Sequence, residues 1–216
     1  TASAGYTYYY KVEAVSKVRS AANSANSTAL AVNSHCARPT VKPDYLASTG
    51  KPYLKWSAVT GASKYHVYRA GSQNGTYKYI GSTTKTNYTD TTASAGYAYY
   101  YKVKAVSKVK AAANSAYSTV VKATCHCAKP VVKIALTQKG DPKLTWNTVA
   151  GASKYEVYRA TSKNGTYTKM FTTTNRSYTN TNARPGTTYY YKVKAISRVR
   201  STANSSYSVV KSIRAR

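Results

Sequence analysis

Acidic side chains are scarce in this sequence of 216 residues: five of them stand against 33 lysines and arginines, which gives a formal net charge of +28 at pH 7. The acids are Glu13, Asp44, Asp90, Asp141 and Glu156. So large an excess of positive charge attracts polyanions such as nucleic acid, teichoic acid, sulfated glycan or an anionic membrane. Lysines spread over every strand would also keep a secreted spacer in solution, so the charge alone leaves both interpretations open.

The chain is also poor in the groups that catalysis needs. General acids, bases and nucleophiles must converge in one site, whereas the three histidines and five acids are scattered along the sequence. His35 and His126 lie beside cysteines, His66 falls on an outward strand position, and Asp90 suits a turn cap at the end of a short strand. We therefore predict that the protein is not an enzyme and has neither catalytic residues nor a cofactor.

Long apolar segments are missing as well. A membrane-spanning helix needs about 18 or more consecutive apolar residues, and the sequence contains no such run, so we predict no transmembrane segment. No signal peptide is visible at the start of the sequence. Residue 1 falls in the middle of a repeat, however, which indicates a piece of a longer protein.

A tyrosine-rich segment that begins with glycine occurs three times. The copies are Gly5–Ala14, Gly96–Ala105 and Gly186–Ala195. In the middle copy, a period of two places Tyr101 and Val103 on one face and Lys102 and Lys104 on the other. Because tyrosine and β-branched residues favour strands, each copy is predicted to form a long antiparallel strand with one buried and one solvated face.

The repeat length sets the domain organisation. Trp56 recurs as Trp146, and the segments Gly61–Tyr65 and Asn74–Tyr77 also recur 90 positions later. A unit of this size is long enough to bury its own core. We predict the C-terminal part of a repeat in residues 1–36, a complete domain in residues 37–127 and a second complete domain in residues 128–216.

Each complete unit contains seven short segments with strand character, separated by turn signals. In the first unit, alternation predicts that Leu54, Trp56, Tyr65 and Val67 point inward. The Asn-Gly pair at 74–75 predicts a tight hairpin turn, because both residues tolerate positive φ. The strands flanking this turn and closing the units are predicted at Thr76–Ile80, Ala116–Ala123, Tyr167–Phe171 and Tyr207–Ser212. The predicted fold class is all-β, as tandem seven-stranded antiparallel β-sandwiches without helices.

Residues 1–35 match only the last part of a repeat. Two strands alone expose an unpaired edge, so this part is expected to be disordered, docked on the next repeat, or completed by another chain. Its pattern is intact, and we therefore predict that it keeps both strands. Completion by another chain would make the incomplete repeat a route to self-association.

The complete units share three motifs: an inward tryptophan on the second strand, Tyr-x-Val on the third, and Gly-x-x-Tyr-x-Tyr-x-Val on the sixth. With these motifs the chain resembles the fibronectin type III domain. The motifs Gly-Ala-Ser-Lys-Tyr-x-Val-Tyr-Arg-Ala, Asn-Gly-Thr-Tyr and Ala-Asn-Ser-x-Tyr-Ser are similar to tandem modules of secreted and wall-associated proteins of Gram-positive gut bacteria.

The resemblance implies a fibronectin type III or immunoglobulin-like fold and an extracellular location, secreted or attached to the cell surface. It implies that Tyr8, Tyr99 and Tyr189 each close a tyrosine corner. It also implies a non-catalytic, rod-like spacer, display or adhesion element. The alternative that it leaves open is an accessory carbohydrate- or polyanion-binding module of an extracellular hydrolase.

Three cysteines raise the question of metal binding or pairing. Cys125, His126 and Cys127 are of types that bind zinc, but Cys36 lies one repeat away, roughly 30 Å in tandem sandwiches. That separation also exceeds the roughly 7 Å that a disulfide can span. We predict no metal site. An odd number of cysteines instead favours a free thiol or pairing between chains through these linker cysteines.

Outward tyrosines and lysines form the predicted binding surface. They are Tyr68, Tyr100, Lys102 and Lys104 in the first unit and Tyr158, Tyr190, Lys192 and Lys194 in the second. We expect each set to lie side by side on the sheet that holds the third and sixth strands. Aromatic rings interleaved with cations suit a sugar, a phosphate or sulfate polymer, or single-stranded nucleic acid. Cross-strand pairing that only stabilises the sheet explains the same pattern.

A basic loop follows each tyrosine strand, where the family more often has small polar residues. Its cations are Lys17 and Arg19, Lys108 and Lys110, and Arg198 and Arg200. Cations that recur once per module suit a repeating polyanion, which would be bound by multivalency. The alternative is that these cations belong to a generally basic protein and only continue the strand and the turn. The predicted partners are accordingly a cell-wall polyanion, a glycan or another surface protein.

Overall fold

The computed structural model describes residues 2–216. Its strands are β1 Thr7–Tyr10, β2 Leu30–Asn33, β3 Val41–Tyr45, β4 Pro52–Trp56, β5 Ala62–Ala70, β6 Lys78–Thr83, β7 Asn87–Thr89, β8 Ala98–Ser107, β9 Val121–Thr124, β10 Val132–Leu136, β11 Pro142–Trp146, β12 Ala152–Ala160, β13 Thr168–Thr173, β14 Ser177–Thr179, β15 Thr188–Ser197 and β16 Lys211–Arg214. Single 3₁₀ turns, which the sequence did not predict, occur at Ser20–Ala22, Ala111–Ala113 and Ser201–Ala203. No α-helix occurs within residues 2–216, and no helix there is long and apolar enough to cross a membrane.

Each complete unit is a sandwich of a three-stranded and a four-stranded sheet. In the first sandwich the strand orders are β3-β4-β7 and β6-β5-β8-β9, and in the second they are β10-β11-β14 and β13-β12-β15-β16. The two sandwiches therefore have the same topology, and the predicted all-β, seven-stranded fold is confirmed. The first four-stranded sheet is β6-β5-β8-β9, and the second four-stranded sheet is β13-β12-β15-β16.

The core of the second sandwich forms where the inward residues of its two sheets meet. Leu144 and Trp146 from β11 pack in one buried cluster with Tyr155, Val157 and Val193 from the other sheet. The exposed fractions of Trp56 and Trp146 are 6% and 5%, which confirms that both tryptophans are buried. In each sandwich the tryptophan lies edge-on to the first inward tyrosine of the third strand.

The tyrosine corners that the family resemblance implied are present. The hydroxyl oxygens of Tyr8, Tyr99 and Tyr189 accept hydrogen bonds from the main-chain N–H groups of Ser3, Ser94 and Arg184, at 2.7, 3.2 and 3.0 Å respectively. Each bond ties the loop before the long strand to a side chain of that strand, five residues further on.

The incomplete first repeat keeps its two strands, as predicted. β1 pairs antiparallel with β2, from Thr7 opposite Asn33 to Tyr10 opposite Leu30. The faces differ from those of the complete units: Tyr10 is 49% exposed, whereas its counterpart Tyr101 is fully buried. No second sheet covers this hairpin within the described residues.

The Asn-Gly pair does not form the tight turn that the sequence predicts. β5 ends at Ala70 and β6 begins at Lys78, and neither residue of the pair has a positive φ. The loop instead closes on itself: the Gly75 N–H donates to the Ser72 carbonyl at 3.2 Å, and the Tyr77 hydroxyl donates to the Gln73 carbonyl at 2.8 Å. These bonds keep the loop wide, so β6 and its counterpart β13 begin later than predicted.

The last strand of each sandwich also starts later than predicted, at Val121 and Lys211. The cause is the Ala-Asn-Ser-x-Tyr-Ser motif just before it. The side-chain oxygens of Asn204, Ser205 and Ser208 accept hydrogen bonds from the N–H groups of Ser197, Ala195 and Val193 at 2.9, 2.8 and 3.0 Å. Asn114, Ser115 and Ser118 do the same for β8. Side chains thus replace part of the main-chain ladder, and a regular strand cannot form there.

By its internal contacts the described chain divides into two compact units. One comprises Pro43–Leu54, Thr89–Tyr100 and Lys122–Arg216, and the other holds the remaining described residues. These limits cut through residues 37–127, so they differ from the limits of the sequence repeat. The division into domains 1–36, 37–127 and 128–216 therefore remains a prediction from the repeat.

Candidate functional site

The second four-stranded sheet carries lysines that lie on tyrosine rings. The ammonium of Lys192 is 4.2 Å from the ring centre of Tyr167 and 4.0 Å from that of Tyr207. Lys194 lies 5.4 Å from the Tyr207 ring, and Tyr158 packs edge-on against the same ring at 5.1 Å. Tyr158 is opposite Lys192 in the strand register, so the predicted side-by-side arrangement is present.

The first four-stranded sheet repeats this arrangement. Lys102 lies 4.2 Å from the ring centre of Tyr77 and 5.9 Å from that of Tyr117. Lys104 lies 5.5 Å from the Tyr117 ring, and Tyr68 packs edge-on against it at 5.1 Å. Equivalent residues therefore make corresponding contacts in both sandwiches, although Lys102 lies farther from the Tyr117 ring than Lys192 lies from the Tyr207 ring.

The remaining predicted tyrosines lie further along the central strands. Tyr190 is half-buried and lies opposite Ala160 on one side and Ser212 on the other. Tyr100 is also half-buried, and the ammonium of Lys122 lies 5.9 Å from its ring.

Four tyrosines of this surface were missed by the sequence interpretation. They are Tyr77, Tyr117, Tyr167 and Tyr207. Each lies outside the regular strands, and its ring reaches back over the sheet. The available signal was their place in the repeated Asn-Gly-Thr-Tyr and Ala-Asn-Ser-x-Tyr-Ser motifs.

The filled ring faces decide what the surface can recognise. A cation over an exposed ring contributes roughly 0.5–1 kcal/mol. A sugar or a nucleobase cannot stack on a ring face that a lysine already occupies. The same lysines bring positive charge to this surface, so it is suited to ligands recognised by charge.

One position distinguishes the electrostatics of the two sheets. On the second sheet, the Glu156 carboxylate accepts a hydrogen bond from the Tyr158 hydroxyl at 2.7 Å and pairs with Lys169 at 3.4 Å. Burial acts to raise the pKa of this carboxyl, but the bonds from Tyr158 and Lys169 and the charge of Lys194 lower it overall. On the first sheet the equivalent residue is His66. Its pKa is lowered by burial and then by the charges of Lys64 and Lys104.

The basic loops follow the ends of the long strands. The Ser197 hydroxyl accepts hydrogen bonds from the N–H groups of Val199 and Arg200. In the earlier copies, Ser16 accepts from Val18 and Arg19, and Ser107 accepts from Val109. Of the loop cations, Lys17, Arg19, Lys108, Arg198 and Arg200 are exposed, and Lys110 is half-buried. The Lys110 ammonium donates to the Thr7 hydroxyl at 3.2 Å.

A cleft of about 790 Å³ opens at the end of the second sandwich. Its lining includes Trp146, Arg176 and Arg198. The Arg176 guanidinium donates to the Thr148 hydroxyl at 3.0 Å. The lining residues include these two cations and contain no acid or histidine.

All three cysteines are buried free thiols. Burial raises the pKa of each thiol, which disfavours the reactive thiolate. Cys127 lies in the core of the second sandwich, and its N–H donates to the Ala203 carbonyl. Pairing between chains would therefore need local opening of the fold. The described residues contain no group of three histidine, cysteine or acidic side chains that is suited to a metal ion.

No protein-family model matches the chain. It is 29% identical to exoglucanase B of Cellulomonas fimi over 90% of its own length, but spans only 19% of that relative. It is 34% identical to a solved Fn3-like protein from Clostridium thermocellum, with 40% of this chain and 90% of that one covered and a TM-score of 0.36. A two-domain fibronectin type III segment of chicken tenascin is 15% identical, with 82% and 98% covered and a TM-score of 0.48. The strand order, the buried tryptophans and the tyrosine corners described above make this chain a tandem of fibronectin type III-like β-sandwiches.

Proposed function

We propose that the chain is a non-catalytic extracellular module, secreted or attached to the cell surface, which spaces or displays neighbouring parts of its protein and binds an anionic polymer. The observation that carries the binding is the uncompensated positive charge. Five acids cannot neutralise 33 cations, and the strands of the first four-stranded sheet contain no acid. Origin in a Gram-positive gut bacterium is part of the same proposal.

The acids support the non-catalytic part of the proposal. Asp90 is buried and accepts hydrogen bonds from the N–H and the hydroxyl of Thr92, so it caps a turn as expected. Glu156 is engaged by Tyr158 and Lys169. Fibronectin type III-like domains are generally non-catalytic, which agrees with this use of the acids in structure.

The test is the binding of a fluorescently labelled inorganic polyphosphate, measured by anisotropy in about 20 mM salt. We expect binding, and we expect it to weaken when the loop residues Lys108, Lys110, Arg198 and Arg200 are changed to serine. The matched control changes the exposed Lys42, Lys85, Lys139 and Lys143 to serine and removes the same charge. A larger loss from the loop set supports multivalent contact through the loops. Equal losses would contradict a role of the loops, and no binding by the unaltered protein would overturn the proposed function.

A second candidate function is that of an accessory module in a polymer-degrading enzyme. It is favoured by the likeness to exoglucanase B, which extends over 90% of this chain. Adsorption to insoluble cellulose that persists in about 1 M salt, where charge is screened within about 3 Å, would support this candidate. Adsorption that is lost with added salt would instead support recognition by charge.

A further inference from the structure

The two four-stranded sheets differ in one pair of facing side chains. The first sheet has His66 with Tyr79, in edge-on contact at 5.3 Å between ring centres. The second sheet has Glu156 and Lys169 at the equivalent positions, joined as an ion pair at 3.4 Å. An aromatic pair in one sandwich thus replaces an ion pair in the other, at the same place among the tyrosines and lysines.

On the second sheet, the carboxylate engages the cations around it. Glu156 lies opposite Lys194 in the register of β12 with β15 and contacts Lys169. Glu156 also accepts a hydrogen bond from the Tyr158 hydroxyl, so this hydroxyl cannot donate the same hydrogen to a ligand. A polyanion that approaches this sheet meets a negative charge in the centre of the lysines.

On the first sheet, the same lysines have no carboxylate among them. Lys64 lies on the same strand as His66, and Lys102 and Lys104 lie on β8. The aromatic side chains form a continuous row, because Tyr79 packs edge-on against both His66 and Tyr68. His66 is half-buried, and Tyr79 is 53% exposed.

We propose that the first four-stranded sheet is the preferred binding surface for a linear polymer of phosphate groups, and that His66 in place of a glutamate determines this preference. The inference rests on the proposed function and names the residue and the ligand class that it requires. At these positions the two sheets have the same net charge, since Lys169 offsets Glu156. The preference therefore depends on where the charges lie and not on their sum.

A chain of phosphates fits the spacing and the chemistry of this surface. Outward residues two apart on a strand, such as Lys102 and Lys104, are separated by about 7 Å, so a polymer with regularly spaced charges can contact both. Lys102 lies 4.2 Å from the ring centre of Tyr77, and both Lys102 and Lys104 lie within 6 Å of the ring centre of Tyr117, at 5.9 and 5.5 Å. That arrangement favours a charged chain over a ligand that needs free rings for stacking.

The test exchanges the two pairs without changing net charge. The variant H66E/Y79K gives the first sheet the ion pair, and E156H/K169Y gives the second sheet the aromatic pair. With labelled polyphosphate in about 20 mM salt, we expect H66E/Y79K to bind roughly threefold to fivefold more weakly, the range of one exposed charge contact. We expect E156H/K169Y to bind more tightly than the unaltered protein. A third variant, E156Q, removes the carboxylate alone and is expected to strengthen binding as well.

The outcomes separate this inference from the proposed function. Equal affinities of the unaltered protein and H66E/Y79K, with both folded by thermal melting, would overturn the role of His66 and leave polyanion binding standing. No binding by the unaltered protein would overturn both. Tighter binding of single-stranded DNA than of polyphosphate with the same number of phosphates would show that bases stack, and would overturn the assignment of the ligand.

The pH dependence gives a second readout. Burial, followed by the charges of Lys64 and Lys104, lowers the pKa of His66 and keeps its imidazole neutral near pH 7, and the Tyr79 ring packs edge-on against it. A bound polyphosphate favours the protonated imidazole, so affinity should rise as the pH falls below the ordinary histidine value of about 6.5. The variant H66Q should lose most of this rise. A rise of the same size in H66Q would assign it to other groups and contradict the proposal.

Discussion

Side-chain oxygens in these sandwiches accept hydrogen bonds from strand N–H groups. In a regular sheet, main-chain carbonyl oxygens accept those bonds. The Ser208 hydroxyl accepts the buried N–H of Val193, and the Ser208 N–H donates to the Val193 carbonyl. Ser118 and Val103 are joined in the same two ways. In each sandwich a single serine therefore satisfies both the N–H and the carbonyl of one residue on the long strand.

Replacing Ser208 with alanine should destabilise the second sandwich. The change leaves the Val193 N–H buried without that acceptor, which costs about 1–3 kcal/mol. Urea unfolding followed by tryptophan fluorescence measures the loss. The control is Ser206→Ala, because the Ser206 hydroxyl is buried without a hydrogen-bond partner and its removal should leave stability unchanged or slightly higher. Equal effects of the two changes would contradict this role of Ser208.

At the scale of strands and loops, the regular elements could be predicted from the sequence and the irregular ones could not. Alternation identified the buried Tyr65 and Val67, because a strand's faces depend only on neighbouring residues. The wide loop before β6 depends on Tyr77 bonding back to Gln73. The late start of β16 depends on Ser208 reaching a neighbouring strand. Such bonds join residues whose positions are known only after the chain has folded.

On the candidate surface too, residues on regular strands could be predicted and residues in loops could not. Lys192 and Tyr158 were placed together correctly, since both lie on regular strands that the repeat made visible. Tyr167 and Tyr207 were missed, because their rings come from loops that fold back over the sheet. Nothing in the local pattern at either tyrosine indicates which strand residue its ring will cover.

The lysines over the rings should contribute to the stability of the sheet. Lys192→Met keeps most of the side-chain length but removes the charge that lies over two rings, so the free energy of unfolding should fall by about 1 kcal/mol. Lys154→Met, at an exposed position on the same sheet, should change it by less than about 0.5 kcal/mol. Chemical denaturation of both variants checks this. If Lys154→Met costs as much as Lys192→Met, the contacts with the rings do not stabilise the sheet.

For the whole molecule, the charge is the property that the fold does not explain. A sandwich needs its buried face, and the second sandwich has one in Trp146, Tyr155 and Val157. Its outward face needs only to be polar. Neither requirement calls for a net charge of +28, and this charge increases self-repulsion in the folded chain. A polyanionic partner gives that excess a use.

The salt dependence of polyphosphate affinity tests this claim most directly. The dissociation constant is measured from about 20 to 200 mM salt, and the logarithm of affinity is plotted against the logarithm of salt concentration. Release of counterions from about four contacted phosphates predicts a straight line with a slope of about −3. A slope near zero, or no measurable binding at the lowest salt concentration, would contradict the claim that the lysines and arginines of this chain bind an anionic polymer.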